Sequence, residues 1–409
     1  MVRCRVQREF RWRASVSSRT RAGIEVLCEE RGSRVAGVRV GVLCHAASVD
    51  SRLRHAVDLL SAAGAQVERE FAPEHGVMAG LQDMEVVAET RDPLTGLPVI
   101  SLYGDDEASL TPPRTAFDGL DAVVIDLMDV GARYYTFAAT AIRLLEVAAR
   151  VGVRVIVADR PNPLDGLTVE GNRVDPRYHS FVSELDVPNR HGMTLGELCL
   201  WARRQRDIEV ELEVVPVQGW RREQYWDETG LPWVLPSPNM PTLDTALVYP
   251  GACLVEATNL SEGRGTTRPF ELIGAPFLDA VRLARSLDER ELPGVAFRPV
   301  SFVPAFHKHA GRLCGGVQLH VTDRRTFRPL RTGLEVLAAC RRLGGDAFDW
   351  RREPYEFVSD RPAIDLLAGG PGWREALEEG VDPRELAAAW QVEQAAFLES
   401  RRPMLLYTD

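Results

Sequence analysis

The residues best suited to chemistry are Glu74 and His75, which lie side by side in the segment Phe71–Gly76 (F-A-P-E-H-G). The segment follows a strand-like run that ends at Glu70, and open α/β sheets bind ligands beyond the carboxyl ends of their strands. A glutamate in such a place can donate or accept a proton. The pair is therefore a candidate acid–base site, although an isolated Pro-Glu-His-Gly is also typical of a surface turn.

Polar side chains also follow three other predicted strands. They lie in Cys44-His45 after the first strand, in Asp126–Tyr135 (D-L-M-D-V-G-A-R-Y-Y) after the fourth, and in Asp159–Pro163 (D-R-P-N-P) after the fifth. Parallel strands end at one edge of a sheet, so these side chains are predicted to meet around one pocket. A helix cap at Asp129 and a local Asp159–Arg160 ion pair are the alternatives. The candidates from the fourth and fifth ends are Asp126, Asp129, Arg133, Tyr134, Tyr135, Arg160 and Asn162.

The second half of the chain adds Glu256, Asn259 and the segment Ser261–Phe270 (S-E-G-R-G-T-T-R-P-F). Glycines on both sides of Arg264 allow the backbone to approach a ligand while the guanidinium binds a carboxylate. A glycine-rich turn and a phosphate-binding loop are the alternatives. Neither G-x-x-x-x-G-K-[ST] nor a G-x-G-x-x-G after the first strand is present, so no nucleotide cofactor is predicted.

Possible metal ligands are present, but no spacing organises them. Glu74, His75, Asp126, Asp129 and His191 are suitable in type, yet no H-x-x-x-H or H-x-H relates them. His307 and His309 have the short spacing, beside Lys308, and also fit a solvated loop. We predict no metal and no other cofactor.

Short apolar runs alternate with amphipathic stretches from Val35 onwards, which is typical of a doubly wound α/β domain with a mainly parallel sheet. Thr194 is predicted to cap a helix over 194–204, with Glu197 as its capping-box partner. A Trp- and Pro-rich stretch, 220–241, is predicted to be an ordered loop. The other predicted helices cover 52–63, 135–150 and 383–399, and the predicted strands cover 38–43, 66–71, 98–102, 122–125 and 153–157.

The 409 residues are enough for two domains. We predict a disordered basic tail over 1–22, a Rossmann-like N-terminal domain over 23–247 and a smaller α/β domain over 248–409. The formal net charge of −10 argues against nucleic-acid and anionic-membrane partners. Seven scattered cysteines and no signal peptide predict a cytoplasmic protein, or an exported one if translation starts elsewhere. Composition and motifs do not predict the oligomeric state.

Six segments together closely resemble the NamZ-type exo-β-N-acetylmuramidases, a family of glycoside hydrolases in bacterial cell-wall turnover. The resemblance covers nearly everything from about Val35 to the C-terminus. It implies a Rossmann-like domain, a smaller C-terminal α/β domain and a site in the cleft between them. It also implies release of N-acetylmuramic acid from the non-reducing end of peptidoglycan fragments. The segments are F-A-P-E-H-G (71–76), D-L-M-D-V-G-A-R-Y-Y-T-F (126–137), D-R-P-N-P (159–163), R-H-G-M-T-L-G-E-L (190–198), L-P-S-P-N-M-P (235–241) and Y-P-G-A-C-L-V-E-A-T-N-L-S-E-G-R-G-T-T (249–267).

The resemblance implies roles for individual residues. Glu74 is expected to be the general acid, with Asp129 as the second carboxylate and Asp126 or Glu256 as its rivals. His75 is expected to orient Glu74 or to bind a sugar hydroxyl. A guanidinium should pair with the carboxylate of the lactyl group, and Tyr134 and Tyr135 should stack on the sugar. The candidates for that guanidinium are Arg133 and Arg264, and the further substrate-binding residues are Arg160, Asn162, His191, Asn239, Asn259 and Thr266.

The chain departs from the family pattern at two places. Val77 and Met78 stand where an apolar residue and an arginine are expected, and Cys44-His45 replaces Thr-Asn after the first strand. Two other functions therefore stay open: a non-catalytic carbohydrate-binding or sensor protein, and a metal-dependent hydrolase or deacetylase that uses Glu74, Asp126 and His191. Retention or inversion at the anomeric carbon depends on carboxylate separation, which the sequence does not give.

Overall fold

A computed structural model describes residues 19–29, 34–88 and 90–407. Most of the predicted tail, 1–22, lies outside these residues. Its last part is packed rather than free, because the Arg21 N–H donates to the Gln218 carbonyl at 2.9 Å and the Ala22 side chain is fully buried. In the part of the chain that is described, no helix is both long and apolar enough to cross a membrane.

The larger domain is built on a six-stranded sheet of order β3-β2-β1-β4-β5-β6, and every neighbouring pair is parallel. This is the Rossmann strand order. Strands β2 and β3 are added on one side of β1, and strands β4 to β6 are added on its other side. The predicted doubly wound fold is therefore confirmed. The strands are β1 Arg39–Cys44, β2 Gln66–Ala72, β3 Val99–Ser101, β4 Ala122–Asp126, β5 Arg154–Ala158 and β6 Leu212–Val215.

Helices cover both faces of this sheet, which explains why its central strands are apolar along their length. Alternate residues of each strand belong to two cores: Val40 and Val42 pack in one with Ile24 and Leu60, while Leu43 packs in the other. The helices are α1 Gly23–Glu29, α2 Ala56–Ala62, α3 Phe137–Val151 and α4 Leu195–Gln205.

The predicted capping box at the start of α4 is confirmed. Thr194 Oγ1 accepts from the Glu197 N–H at 3.3 Å, and the Glu197 carboxylate accepts from the Thr194 N–H at 3.0 Å. The five predicted strands and the three predicted helices of this domain are all present, with ends displaced by a few residues. Strand β6 and helix α1 were not predicted, because β6 is short and only partly buried and α1 precedes the first clear apolar alternation.

The second domain packs helices against a three-stranded antiparallel sheet of order β7-β9-β8. Its core is continuous with one core of the first domain, since one cluster of buried residues includes both Ile125 and Val317. A short 3₁₀-helix, Cys253–Ala257, follows α5. The elements are α5 Leu243–Ala252, β7 Leu272–Ala275, α6 Ala280–Asp288, β8 Val295–Phe302, β9 Cys314–Val321, α7 Pro329–Gly344, α8 Ala363–Ala368, α9 Gly372–Glu379, α10 Pro383–Ala389 and α11 Gln391–Arg401.

The stretch 220–241 is an ordered loop, as predicted. Trp226 is buried in a small cluster with Ala47 and Met128, which both follow strands of the first domain. The loop therefore lies over the carboxyl edge of the large sheet. Near its end, the Asn239 side chain donates to Gln82 Oε1 at 2.7 Å, in the segment that follows β2.

Candidate active site

A cavity of about 480 Å³ opens at the carboxyl edge of the large sheet, where the two domains meet. It lies at the switch point of the sheet, between the segment that follows β2 and the segment that leads from β4 into α3. The second domain closes it from the other side. The lining residues are Glu74, His75, Asp83, Tyr134, Tyr135, Thr136, Phe137, Val182, Ser237, Asn239, Met240, Tyr249, Glu256, Arg264, Phe270, Tyr355 and Glu356.

Glu74 is placed in this cavity by a sharp turn after β2. His75 and Gly76 both have left-handed backbones, with φ of 75° and 78°, and a non-glycine residue there is strained and typical of functional sites. Thr136 Oγ1 donates to Glu74 Oε2 at 2.7 Å, and the Met84 N–H donates to Glu74 Oε1 at 3.4 Å. Both carboxylate oxygens are therefore held, and the side chain is only 5% exposed.

His75 fixes the loop rather than Glu74. Its Nδ1 is 2.8 Å from the Leu81 carbonyl, so this nitrogen carries the proton, and its ring meets Phe137 edge to face. No hydrogen bond joins His75 to Glu74 among the described residues. The imidazole lines the cavity, so contact with a sugar hydroxyl stays a prediction, whereas direct orientation of Glu74 is not what the structure shows.

Four carboxylates line the cavity: Glu74, Asp83, Glu256 and Glu356. Arg264 is the only arginine or lysine that lines it among the described residues, and it contacts two of them. Its Nη1 is 3.1 Å from Asp83 Oδ1 and its Nη2 is 2.7 Å from Glu256 Oε1. In the part of the chain that the structure describes, no cationic side chain pairs with Glu74 or Glu356. The site is therefore suited to proton transfer more than to binding an anion.

A buried charge network lies behind Arg264. Its Nε is 3.4 Å from Glu262 Oε1, and Glu262 also contacts Lys308 Nζ at 3.0 Å and His307 Nδ1 at 3.2 Å. Burial alone would favour neutral Glu262, but Lys308, His307 and Arg264 hold its pKa well below the usual range. Burial would lower the pKa of Arg264, but the carboxylates of Glu256, Asp83 and Glu262 raise it well above its usual value. Arg264 is thus a permanent counter-charge inside the protein.

Glu356 is brought to the cavity by a strained segment of the second domain. Glu356 and Phe357 have φ of 46° and 67°, both left-handed. Tyr103 Oη donates to Glu356 Oε2 at 3.0 Å. Burial, and next the negative charge of Glu74, raise the pKa of Glu356 well above its usual value. Glu356 therefore favours its protonated form in this cavity.

Aromatic rings form much of the cavity wall. Tyr134, Tyr135, Tyr249 and Phe270 line it, and Tyr249 meets the other three at ring-centroid distances of 4.9–5.9 Å. The Tyr134 hydroxyl donates to the Pro250 carbonyl. The Tyr355 hydroxyl donates to Glu256 Oε2 at 2.7 Å. Flat apolar faces with polar edges suit the faces of a sugar ring.

Asp129, the expected second carboxylate, does not line the cavity. Its Oδ2 accepts from the Gly131 N–H at 2.7 Å and is 3.7 Å from His191 Nε2. Burial raises the pKa of Asp129 to about 7 against the opposing Gly131 and Val130 N–H groups, and burial lowers the pKa of His191 to about 3. His191 likewise does not line the cavity. Asp129 and His191 are therefore buried in the protein interior next to the site.

Several other predicted residues contact protein groups instead of the cavity. Asp126 is fully buried and bidentate with Arg160, at 2.5 and 2.8 Å. Arg133 donates to the carbonyls of residues 172, 187 and 367 at 2.8–2.9 Å, so it is not free for a lactyl carboxylate. Asn162, Asn259 and Thr266 likewise bond backbone groups. The residues proposed for a metal, Glu74, Asp126 and His191, are not brought together.

Seven of the predicted site residues line the cavity: Glu74, His75, Tyr134, Tyr135, Asn239, Glu256 and Arg264. Sequence reasoning missed Asp83, Thr136, Ser237, Tyr355 and Glu356. Thr136 and Ser237 lie inside two of the quoted segments and were findable from them. Asp83, Tyr355 and Glu356 lie in irregular segments that no motif marks.

A cavity lined by carboxyl groups and aromatic rings, between a Rossmann-like domain and a second domain, fits a glycoside hydrolase of the α/β class. Two family models match the chain: the N-terminal domain of the exo-β-N-acetylmuramidase NamZ over residues 40–244 and its C-terminal domain over 247–407. The chain belongs to this family.

Known proteins agree with this assignment. The peptidoglycan β-N-acetylmuramidase NamZ of Bacillus subtilis (strain 168) is 39% identical over 391 residues, which cover 95% of this chain and 92% of that protein. Crystal structures of two DUF1343 family proteins from Bacteroides fragilis are also similar. One has a TM-score of 0.86 at 31% identity, covering 95% of this chain and 99% of the other. The second has a TM-score of 0.76 at 27% identity, covering 96% and 100%.

Proposed function

We propose that this chain hydrolyses the β-glycosidic bond of the terminal N-acetylmuramic acid at the non-reducing end of peptidoglycan fragments. Family membership and the name of the Bacillus subtilis relative support the reaction class. The observation that carries the proposal is the position of Glu74. It lies in the cavity at the domain junction, which Glu356 also lines, and both of its oxygens accept hydrogen bonds.

Glu74 is the general acid in this proposal. Glycosidic bond cleavage needs a proton on the leaving oxygen as the C1–O bond breaks. The Thr136 hydroxyl and the Met84 N–H hold the carboxyl group in one orientation, which keeps the proton aimed at one place. A water molecule then adds to C1 and returns a proton to the carboxyl groups of the cavity, so the enzyme ends as it began.

Glu356 is the proposed partner of Glu74, in place of Asp129. It faces the same cavity from the other domain, and Glu256 is already paired with Arg264 and Tyr355. Burial, and next the charge of Glu74, raise the pKa of Glu356 well above its usual value, which keeps a protonated carboxyl group in the cavity. The substrate's acetamido oxygen or a water molecule then supplies the attacking group at C1.

Family membership supports exo cleavage, because both matching family models are those of the exo-β-N-acetylmuramidase NamZ. The rings of Tyr134, Tyr135, Tyr249 and Phe270 line the cavity, and their faces suit a single terminal sugar. The released sugar is then a monosaccharide.

A chromogenic β-N-acetylmuraminide tests the proposal. We expect the wild type to release the chromophore and Glu74→Gln to lose at least about a hundred-fold in kcat, because general acid catalysis contributes about 10²–10⁴-fold. Asp129→Asn is the matched control, a carboxylate of the same sheet edge outside the cavity, and should keep kcat within about five-fold when folded.

Each outcome separates the candidate functions. Binding of N-acetylmuramic acid without turnover would favour a sensor protein, and turnover abolished by a chelator would favour the metal-dependent hydrolase. Equal losses in Glu74→Gln and Asp129→Asn would remove the assignment of Glu74.

A further inference from the structure

The cavity does not contain a partner for the carboxylate of the substrate. On the proposed function, the sugar is N-acetylmuramic acid, which differs from N-acetylglucosamine by a lactyl ether that ends in a carboxylate. Arg264 is already shared by Asp83, Glu256 and Glu262, and Arg133 is bonded to backbone carbonyls. A fifth carboxylate inside this cavity would meet like charges, so the lactyl group must leave by the rim.

Arg351 lies at that rim. Its guanidinium carbon is 5.1 Å from the centre of the Tyr355 ring, and Tyr355 lines the cavity. Its Nη2 is 3.5 Å from Met84 Sδ, and Met84 is the residue whose N–H donates to Glu74. Arg351 therefore contacts one residue that lines the cavity, Tyr355, and one residue that holds the proposed acid, Met84.

Arg351 has no acidic partner among the described residues. Its side-chain hydrogen bonds are with Met84 Sδ and the Pro354 carbonyl, both from Nη2, and no carboxylate of the described residues pairs with it. The side chain is half-buried, and the Arg351 N–H donates to the Ala257 carbonyl at 2.8 Å. An arginine with a fixed backbone and a free edge is prepared for a forked contact with a carboxylate.

An open groove of about 1090 Å³ adjoins this rim. His307, one of its lining residues, is 3.7 Å from Asp83 Oδ2 of the cavity. Two other cations of the groove already have acidic partners, since Lys308 contacts Glu262 at 3.0 Å and Arg352 contacts Asp349 at 3.2 Å. The lining residues are Thr258, Asn259, His307, Lys308, His309, Asp349, Trp350, Arg351, Arg352 and Glu353.

We propose that Arg351 binds the lactyl carboxylate of the terminal N-acetylmuramic acid and so distinguishes this sugar from N-acetylglucosamine. The sugar ring lies in the cavity, and its lactyl arm passes over Tyr355 to the guanidinium. Arg351 takes the place that sequence reasoning gave to Arg133 and Arg264. The inference rests on the proposed function for the identity of the sugar.

The test compares two chromogenic glycosides that differ only in charge: the β-N-acetylmuraminide and its lactyl methyl ester. Arg351→Met should lower kcat/KM for the free acid by about ten- to hundred-fold, as expected for a hydrogen bond between charged groups. It should change the value for the ester by less than about three-fold. Arg352→Met is the matched control, because Arg352 lines the same groove and is 83% exposed, and it should leave both substrates nearly unchanged.

The outcomes either support or overturn the proposal. Equal losses on acid and ester, or no loss on the acid, would overturn it. The Arg351→Met variant is also assayed on a tetrasaccharide with a second muramic acid, with and without peptide stems. If kcat/KM falls only on these longer substrates, Arg351 binds a carboxylate further along the glycan and the proposal is overturned. If the wild type releases no chromophore, the proposed function fails. Arg351 is then tested by calorimetric binding of free N-acetylmuramic acid against N-acetylglucosamine.

Discussion

Arg264 is predicted to stabilise the fold of the site through buried charge, and Arg264→Met tests this. The substitution keeps an unbranched apolar side chain and removes the guanidinium group, whose carbon lies 5.1 Å from the centre of the Phe270 ring. Glu256 and Glu262, 7% and 0% exposed, would lose a partner at 2.7 and 3.4 Å. Removing one partner of a buried ion pair costs about 3–5 kcal/mol. We expect the free energy of unfolding to fall by that amount at pH 7.

The sign of the pH dependence follows from Glu262. Lys308, His307 and Arg264 depress its pKa in the folded state despite burial, so its contribution to stability is present above the unfolded pKa of about 4.3 and is lost as the pH falls. The destabilisation by Arg264→Met should therefore be largest at pH 7 and clearly smaller at pH 4, because the stranded carboxylates then take up protons.

Urea unfolding followed by tryptophan fluorescence at pH 4 and 7 measures both effects. Arg268→Met is the matched control in the same loop, since Arg268 is 46% exposed and 3.3 Å from Glu271, and an exposed pair contributes about 0–1 kcal/mol. A loss below about 1 kcal/mol in Arg264→Met at pH 7, or the same loss at pH 4 and 7, would refute the reasoning.

Two further predictions concern the carboxyl groups near the site. Glu356→Gln should become more stable relative to the wild type as the pH rises from 4 to 8, because burial and the charge of Glu74 raise the folded-state pKa of Glu356 and the wild type loses stability above the unfolded pKa of about 4.3; urea unfolding at pH 4 and 8 checks this, and an unchanged difference contradicts it. Asp129→Asn should become more stable relative to the wild type by up to ~4 kcal/mol as the pH rises from 4 to 8, because burial raises the pKa of Asp129 to about 7 from 3.8 and the wild type loses stability over that window. Urea unfolding at the two pH values measures the change, and a constant difference would exclude it.

The first domain was predictable because its signals are local. Apolar runs such as Val40–Leu43 are long enough to identify buried parallel strands, and Thr194 with Glu197 marks a helix start within four residues. The position of Glu74 follows from the same pattern, since a parallel strand ends where its apolar run ends. These inferences need no knowledge of what lies across the cavity.

Asp129 shows where that reasoning stops. Strand ends place a carboxylate at the correct edge of the sheet, but this edge is six strands wide and the cavity occupies only part of it. Whether Asp129 turns towards the cavity or towards His191 depends on packing between distant segments. Glu356 was missed for the related reason that its segment is irregular and gains its place only from contacts such as the Tyr103 hydrogen bond, 253 residues away.

The charge distribution around the cavity connects mechanism with specificity. Four carboxyl groups line the cavity, and burial together with the negative charge of Glu74 raises the pKa of one of them, Glu356, well above its usual value. The same negative surroundings repel a carboxylate of the substrate, so the recognition of muramic acid must be separated from the reacting bond. The structure separates them across Tyr355, with the carboxyl pair on the cavity side and Arg351 on the groove side. The distance between the two functions is therefore a requirement of the chemistry.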